Sequence, residues 1–304
     1  MPTSSHRGAT VPVSPFRKFA VLAERAKAQG KTVYHLNIGQ PDIETPGAAL
    51  QALRDSRLKI IEYPPAEGLV SYRQKLVEYY RRFAVALTPD EIIVTTGASE
   101  GLYFTMLACF EPGEEVIIPE PFYANYNGFA HMAGVRVKPI TSDISTGFAL
   151  PSIEEFEQAI TPSTKAILIC NPNNPTGCFY PKSSLEALAK LTKKHDLFLI
   201  ADEVYREFCF DGQEFTSILS MPELEEHAIV VDSISKRQSA CGARVGAVAT
   251  RNASVLAAVS RYAKLRLGAP TLEQMLAEAM LERDTDYLSD VKAEYDQRRR
   301  VVYE

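Results

Sequence analysis

The five cysteines of this 304-residue sequence, at positions 109, 170, 178, 209 and 241, form no C-x-x-C pair and no Cys/His spacing. That pattern excludes a zinc ligand set and a disulfide framework, and it leaves reduced thiols in a cytoplasmic protein as the simplest expectation. Long apolar runs are missing too. No stretch approaches the ~20 residues that a membrane span requires, and the polar residues 1–10 hold no apolar core of a signal peptide. The protein is therefore expected to be soluble, with no membrane partner. Excess positive charge is also absent: the net charge is −5 and the pI about 5.7. Without a basic field interleaved with aromatics, nucleic acid is excluded as the expected partner. The densest basic cluster, Arg298, Arg299 and Arg300, reads as the solvated face of a helix. Internal repeats, low-complexity tracts and Gly/Ser linkers do not occur.

What is present is ample apolar material, 46% of all residues, enough for one large domain or two small ones. Ser14 and Pro15 read as an N-cap and first helical position, opening a helix over 16–29 that Gly30 stops. Further helical periodicity covers about 69–83, 99–110, 182–195 and 271–304, the last broken near Asp284 and Thr285. Between these segments lie apolar runs of strand length at 91–94, 115–118, 135–140, 165–170, 197–201, 229–232 and 245–250. Several lack alternation, as strands covered on both faces do. The pattern predicts an α/β fold, a three-layer α/β/α sandwich around a mostly parallel sheet.

In such a fold, chemistry sits where strands end at their C-termini. Four such places carry informative residues. Gly97, Ala98 and Ser99 follow one strand and open a helix, an arrangement in which backbone N–H groups and the helix dipole can hold a phosphate. NPNNPTG, residues 171–177, follows a second strand, and Asp202-Glu203-Val204-Tyr205 ends a third. An unpaired aspartate at the end of so apolar a strand is costly to bury. The fourth place is SISKRQSACGARVG, which sets Lys236 beside Ser233 and Ser235, with Arg244 eight residues on. A lysine that forms a Schiff base needs burial and nearby positive charge to depress its pKa, and an arginine fork suits a phosphate.

Together, the NPxNPTG run, the strand ending in D-x-x-Y and the SxSK element followed by arginine resemble the class I/II aminotransferases of the aspartate-aminotransferase type. These are pyridoxal-phosphate enzymes of fold type I, and the resemblance extends from about Pro15 to the end of the sequence. It implies that Lys236 attaches pyridoxal 5'-phosphate and moves a proton during transfer, with Asp202 pairing the pyridine nitrogen. Tyr205 and Asn174 would hydrogen-bond the phenolic oxygen. Gly97, Ala98, Ser99, Ser233 and Arg244 would surround the phosphate, Ser235 would belong to the cofactor site, and Tyr123 would stack on the ring. Gly39 and Asn174 match substrate-pocket positions. Tyr63 matches a tyrosine that reaches the phosphate of a neighbouring subunit, which implies a homodimer with shared active sites.

The implied organisation is an N-terminal arm with part of a small domain over 1–45, a large cofactor-binding domain over 46–270 and a long helix over 271–304. Family members resembling this chain continue for roughly another hundred residues, forming most of a small domain that supplies the arginine for the substrate carboxylate. No position here matches that arginine, and Arg266 receives no role. The sequence as it stands is expected to bind cofactor and to transaminate poorly. The expected reaction moves an amino group between an L-amino acid, aspartate or an aromatic one, and a 2-oxo acid such as 2-oxoglutarate. A C–S lyase on the same scaffold is the nearest alternative, since scaffold and cofactor do not fix the reaction. A non-enzymatic ligand-sensing domain is another.

Overall fold

The seven apolar runs become the strands of one sheet in a computed structural model that describes residues 2–12, 19–283 and 286–304. They are β1 (Ile92–Thr95), β2 (Glu115–Glu120), β3 (Arg136–Thr141), β4 (Thr164–Cys170), β5 (Phe198–Asp202), β6 (Ala228–Ser233) and β7 (Gly246–Thr250). Their order in space is β1-β7-β6-β5-β4-β2-β3. Strands β2 to β6 pair in parallel, and β7 lies antiparallel to both β6 and β1. Only β7 runs against the others, so the expected mostly parallel sheet is what forms.

The lack of alternation has the expected cause. Along β4, Ile167 and Ile169 pack into an apolar cluster on one face, while Ala166, Leu168 and Cys170 pack into a second cluster on the other. Each such isoleucine or leucine contributes roughly 1.5–3 kcal/mol relative to leaving it in water. In chain order the helices are α1 (His6–Thr10), α2 (Ala20–Ala28), α3 (Gly47–Arg54), α4 (Val70–Arg81), α5 (Gly97–Cys109), α6 (Asn125–Ala133), α7 (Ile153–Ala159), α8 (Lys182–Lys194), α9 (Ala253–Arg266), α10 (Thr271–Arg283) and α11 (Tyr287–Tyr303). Helices α3, α4, α7, α8 and α10 feed the first cluster, and α5, α6 and α9 feed the second. That makes three layers, with the sheet in the middle.

The N-cap assigned to Ser14 and Pro15, and the break at Asp284 and Thr285, lie outside the described residues. The pattern over 271–304 is two helices, α10 and α11. Helices α3, α6, α7 and α9 were hidden because each is short or weakly periodic and depends on the sheet to bury its apolar side. The Arg298–Arg300 cluster does lie on an exposed helix, where Arg298 pairs with Asp42 and Glu294, and Arg299 with Asp211 and Asp296. Among the described residues no helix is long and apolar enough to cross a membrane. All five cysteines are free thiols.

Candidate active site

Because β1, β2, β4, β5 and β6 point the same way, the segments leaving their C-terminal ends meet along one edge of the sheet. There they enclose a cavity of about 200 Å³, lined in part by Ala98, Ser99, Tyr123, Asn174, Asp202, Tyr205, Ser233, Ser235, Lys236 and Arg244. Ten residues singled out in the sequence thus face one space.

One group of these residues suits an anion. Helix α5 starts at Gly97 with no side-chain cap from Thr96, so its first amides and its dipole are free to meet a negative group. Gly97 has φ +73°, and a Cβ there would lie 2.4 Å from Arg244 Nη2. A Cβ on Gly246 would lie 2.5 Å from the Gly97 carbonyl carbon and 2.7 Å from the Ala98 nitrogen. Both glycines are needed for β7 and the Arg244 guanidinium to approach the helix start. Arg244 Nη1 donates to the Cys241 carbonyl at 2.8 Å. Ser99, Ser233 and Ser235 add three hydroxyls to the lining of the same cavity.

A second group carries acid–base chemistry. Asp202 is buried where β5 ends, and its Oδ2 accepts from the Tyr126 hydroxyl at 2.8 Å while its Oδ1 accepts from the Val204 amide at 3.3 Å. Burial pushes its carboxyl up to about 6, against the pull of those two donors. Asn174 Nδ2 donates to the Tyr205 hydroxyl at 3.4 Å. The Lys236 amine donates to the Gly39 carbonyl and lies 5.8 Å from the centre of the Tyr205 ring. Burial holds this amine below its ordinary value, and Arg244 acts in the same direction.

The raised Asp202 carboxyl has a stability consequence with a definite sign. An acid whose folded pKa exceeds its unfolded value near 3.8 favours the folded state most at low pH. That contribution is lost as the pH rises through about 6. Without ligand, Asp202→Asn should therefore be more stable than the parent at pH 8, by roughly 2–3 kcal/mol, with the gap closing below pH 4. Urea midpoints of both proteins across that range check this, and a gap independent of pH would refute it.

Of the remaining sequence-derived residues, Gly97 abuts Arg244 at the cavity wall, and Gly39 touches Lys236 through its carbonyl. Tyr63 does not line the cavity of its own chain and is 80% exposed. Arg266, which the sequence left without a role, does not line this cavity and serves as a tie. It pairs with Glu100 and donates to the carbonyls of Ala66 at 3.1 Å and Val94 at 3.2 Å. The sequence reading missed Leu102, Tyr126, Cys170, Val204 and Cys241, which also line the cavity. Apart from the spacing of Tyr126 three residues after Tyr123, nothing in sequence separates them from core residues. Among the described cavity-lining residues the only guanidinium is that of Arg244.

Residues 31–304 match the family model described as aminotransferase class I and II. The putative aminotransferase YugH of Bacillus subtilis is 35% identical over 294 residues, covering 96% of this chain and 75% of that protein. The aspartate/prephenate aminotransferase of Thermus thermophilus is 36% identical over 250 residues, covering 79% of this chain and 63% of that protein. The arginine–pyruvate transaminase AruH of Pseudomonas aeruginosa is 35% identical over 279 residues, covering 91% and 70%. Among solved structures, a single mutant of Thermus thermophilus aspartate aminotransferase superposes with a TM-score of 0.94 at 30% identity, covering all of this chain and 80% of that one.

Proposed function

Since the chain belongs to the class I and II aminotransferase family, we propose that it uses pyridoxal 5'-phosphate to move an amino group between an L-amino acid and a 2-oxo acid. The observation that carries this reading is the convergence of Lys236, Asp202, the Asn174–Tyr205 pair and the Arg244–serine wall on one cavity. The residues fit the cofactor. Gly97 and Gly246 leave room against Arg244 and the start of α5 that a Cβ at either position would fill. Around that room stand one guanidinium, three hydroxyls and uncapped amides, the donor set a phosphate dianion takes.

When bound, the cofactor supplies an electron sink that allows a proton to leave the substrate Cα. The chain's residues do the rest. Arg244, Ser99, Ser233 and Ser235 would hold the phosphate with the α5 amides. Asp202 would keep a proton on the ring nitrogen, and Tyr126 and the Val204 amide orient its carboxylate. Asn174 and Tyr205 would donate to the phenolic oxygen, while Tyr123 would offer a ring face. Lys236 would attach the cofactor and, when free, would take up a proton at the substrate Cα. Burial, with Arg244 nearby, holds this amine below its ordinary value, the direction a proton-accepting lysine needs.

Aspartate with 2-oxoglutarate is the proposed substrate pair, supported by relatives from Thermus thermophilus and Thermotoga maritima named for aspartate. The functional unit is a homodimer in which Tyr63 of one chain reaches the phosphate site of the other. Support comes from exposed apolar residues, Tyr63 at 80% and Leu265 at 82%. A groove lined by Tyr103, Phe104, Leu107, Met132 and Leu265 also runs up to Ser99, which lines the cavity as well. Such a patch is what a partner subunit covers.

The decisive experiment loads the protein with pyridoxal phosphate, reduces it with borohydride and maps the labelled peptide. Label on Lys236 is expected, and label on another lysine refutes the assignment. Turnover of amino acid without any 2-oxo acid would point to a lyase instead.

A further inference from the structure

On the side of the β5 and β6 turns away from the cavity, four charged side chains are shut off from water. Glu203, Arg206, Asp232 and Arg237 are each only 1% exposed. Arg237 Nη1 donates to Asp232 Oδ1 at 2.7 Å and to the Ser233 carbonyl at 2.8 Å. Arg206 Nη2 lies 3.1 Å from Glu203 Oε2 and 3.7 Å from Asp232 Oδ2. Glu203 also accepts from the Ser217 hydroxyl at 2.9 Å and the Ile218 amide at 3.1 Å. The guanidinium of Arg206 sits 4.6 Å from the centre of the Tyr80 ring, and that of Arg237 lies 4.5 Å from Tyr79. Counted as ionised groups the two positive and two negative charges balance, and burial pushes the Glu203 carboxyl up to about 7.

Their places in the chain are the informative part. Glu203 follows Asp202, Arg206 follows Tyr205, Asp232 precedes Ser233 and Arg237 follows Lys236. Every member of the cluster is thus the immediate neighbour of a residue that lines the cavity. A buried charge cluster is a poor way to add stability, because desolvation offsets its attraction. Here Arg206 Nη1 and Nη2 and Arg237 Nε even lack hydrogen-bond partners. As a geometric device the cluster does better. Arg237 closes the turn from Asp232 to itself through a single nitrogen shared between a carboxylate and a backbone carbonyl, and Arg206 braces the β5 turn against the same carboxylate.

We propose that Arg237 is a positioning residue for Lys236, and that Glu203, Arg206, Asp232 and Arg237 form a lock holding the β5 and β6 turns in register behind the cofactor site. This rests on the assignment of Lys236 as the cofactor lysine. The groups facing the Lys236 amine are Asp202, Arg244, Cys241, the Tyr205 ring and the Gly39 carbonyl. Those facing Arg237 are Asp232, Arg206, Tyr72 and Tyr79. Loosening the turn lets Lys236 move toward water, which removes the burial that depresses its pKa.

The test compares cofactor-loaded parent, Arg237→Lys, the neutral pair Asp232→Asn/Arg237→Met and a remote core variant, Val259→Ala on α9. The readouts are the pH midpoint of the visible cofactor band, the Kd for pyridoxal phosphate and the melting temperature. The neutral pair removes both charges of one ion pair together, so it should fold. Its band midpoint should rise by about one pH unit and its Kd weaken roughly tenfold. Arg237→Lys, with a point charge in place of a fork, should fall between the two. Val259→Ala should lower the melting temperature and leave the midpoint in place. A folded neutral pair with the parent's midpoint and Kd overturns the lock, and if that pair fails to fold, a parental midpoint in Arg237→Lys overturns it. If the parent's borohydride label is not on Lys236, the functional reading and the lock fall together.

Discussion

Replacing Lys236 by alanine should leave a protein that still takes up pyridoxal phosphate but has lost at least roughly four powers of ten in its rate of amino transfer. Binding survives because the anion wall of Ser99, Ser233, Ser235, Arg244 and the start of α5 does not involve the lysine. Asp202, Asn174 and Tyr205 also remain. Rate is lost because one amine has two tasks, attaching the cofactor and moving the proton, and no second lysine lines the cavity to replace it. The measurement is single-turnover conversion of loaded protein on mixing with aspartate, read as the change in the visible band. Comparing variant with parent in the same chain cancels whatever limits both. A rate within tenfold of the parent's would place the chemistry on another group.

Asp202→Ala should cost roughly three powers of ten in the same assay at saturating cofactor. The carboxylate is held where it is least comfortable, since burial pushes its pKa to about 6 even with Tyr126 and the Val204 amide donating to it. A cationic N–H of a bound ring is the partner that would relieve that cost, and the carboxylate in turn keeps the proton on the ring nitrogen. Alanine removes both halves of the exchange. It also strands the Tyr126 hydroxyl, so Asp202→Asn is the companion variant: it keeps a hydrogen bond to Tyr126 but cannot hold the ring proton by charge. Both variants should be slow. Near-parental turnover in either, with cofactor bound, would show that Asp202 is only a structural cap.

Much of this site was readable in the chain because its residues come in short contiguous runs. Asn174 sits in a Pro-rich turn, Asp202 and Tyr205 at one strand end, and Ser233, Ser235, Lys236 and Arg244 within twelve residues. Contiguity preserves chemistry in the text of the sequence. Tyr126 and Cys170 were invisible for the opposite reason: an aromatic on a helix and a thiol in an apolar strand have the composition of any core, and only the cavity wall distinguishes them. Arg266 shows the reverse hazard, an arginine near the expected site that is spent on Glu100 and two backbone carbonyls.

The sequence by itself determined the seven strands, the burial of several of them on both faces and the chemical inventory of the site, while β3 at the sheet edge keeps no buried residue. Those follow from local periodicity and from residues close in the chain, which short-range sterics and the hydrophobic effect dictate. Only the tertiary structure decided that β7 runs antiparallel between β1 and β6, since pairing partners depend on contacts between distant segments. The same holds for the four buried charges. In the chain, Glu203, Arg206, Asp232 and Arg237 look like ordinary surface residues, because nothing within either turn predicts a partner from the other. Parallel pairing of β5 with β6, with Asp202 opposite Val231, brings the two turns together and turns four costly charges into one neutral cluster behind Lys236.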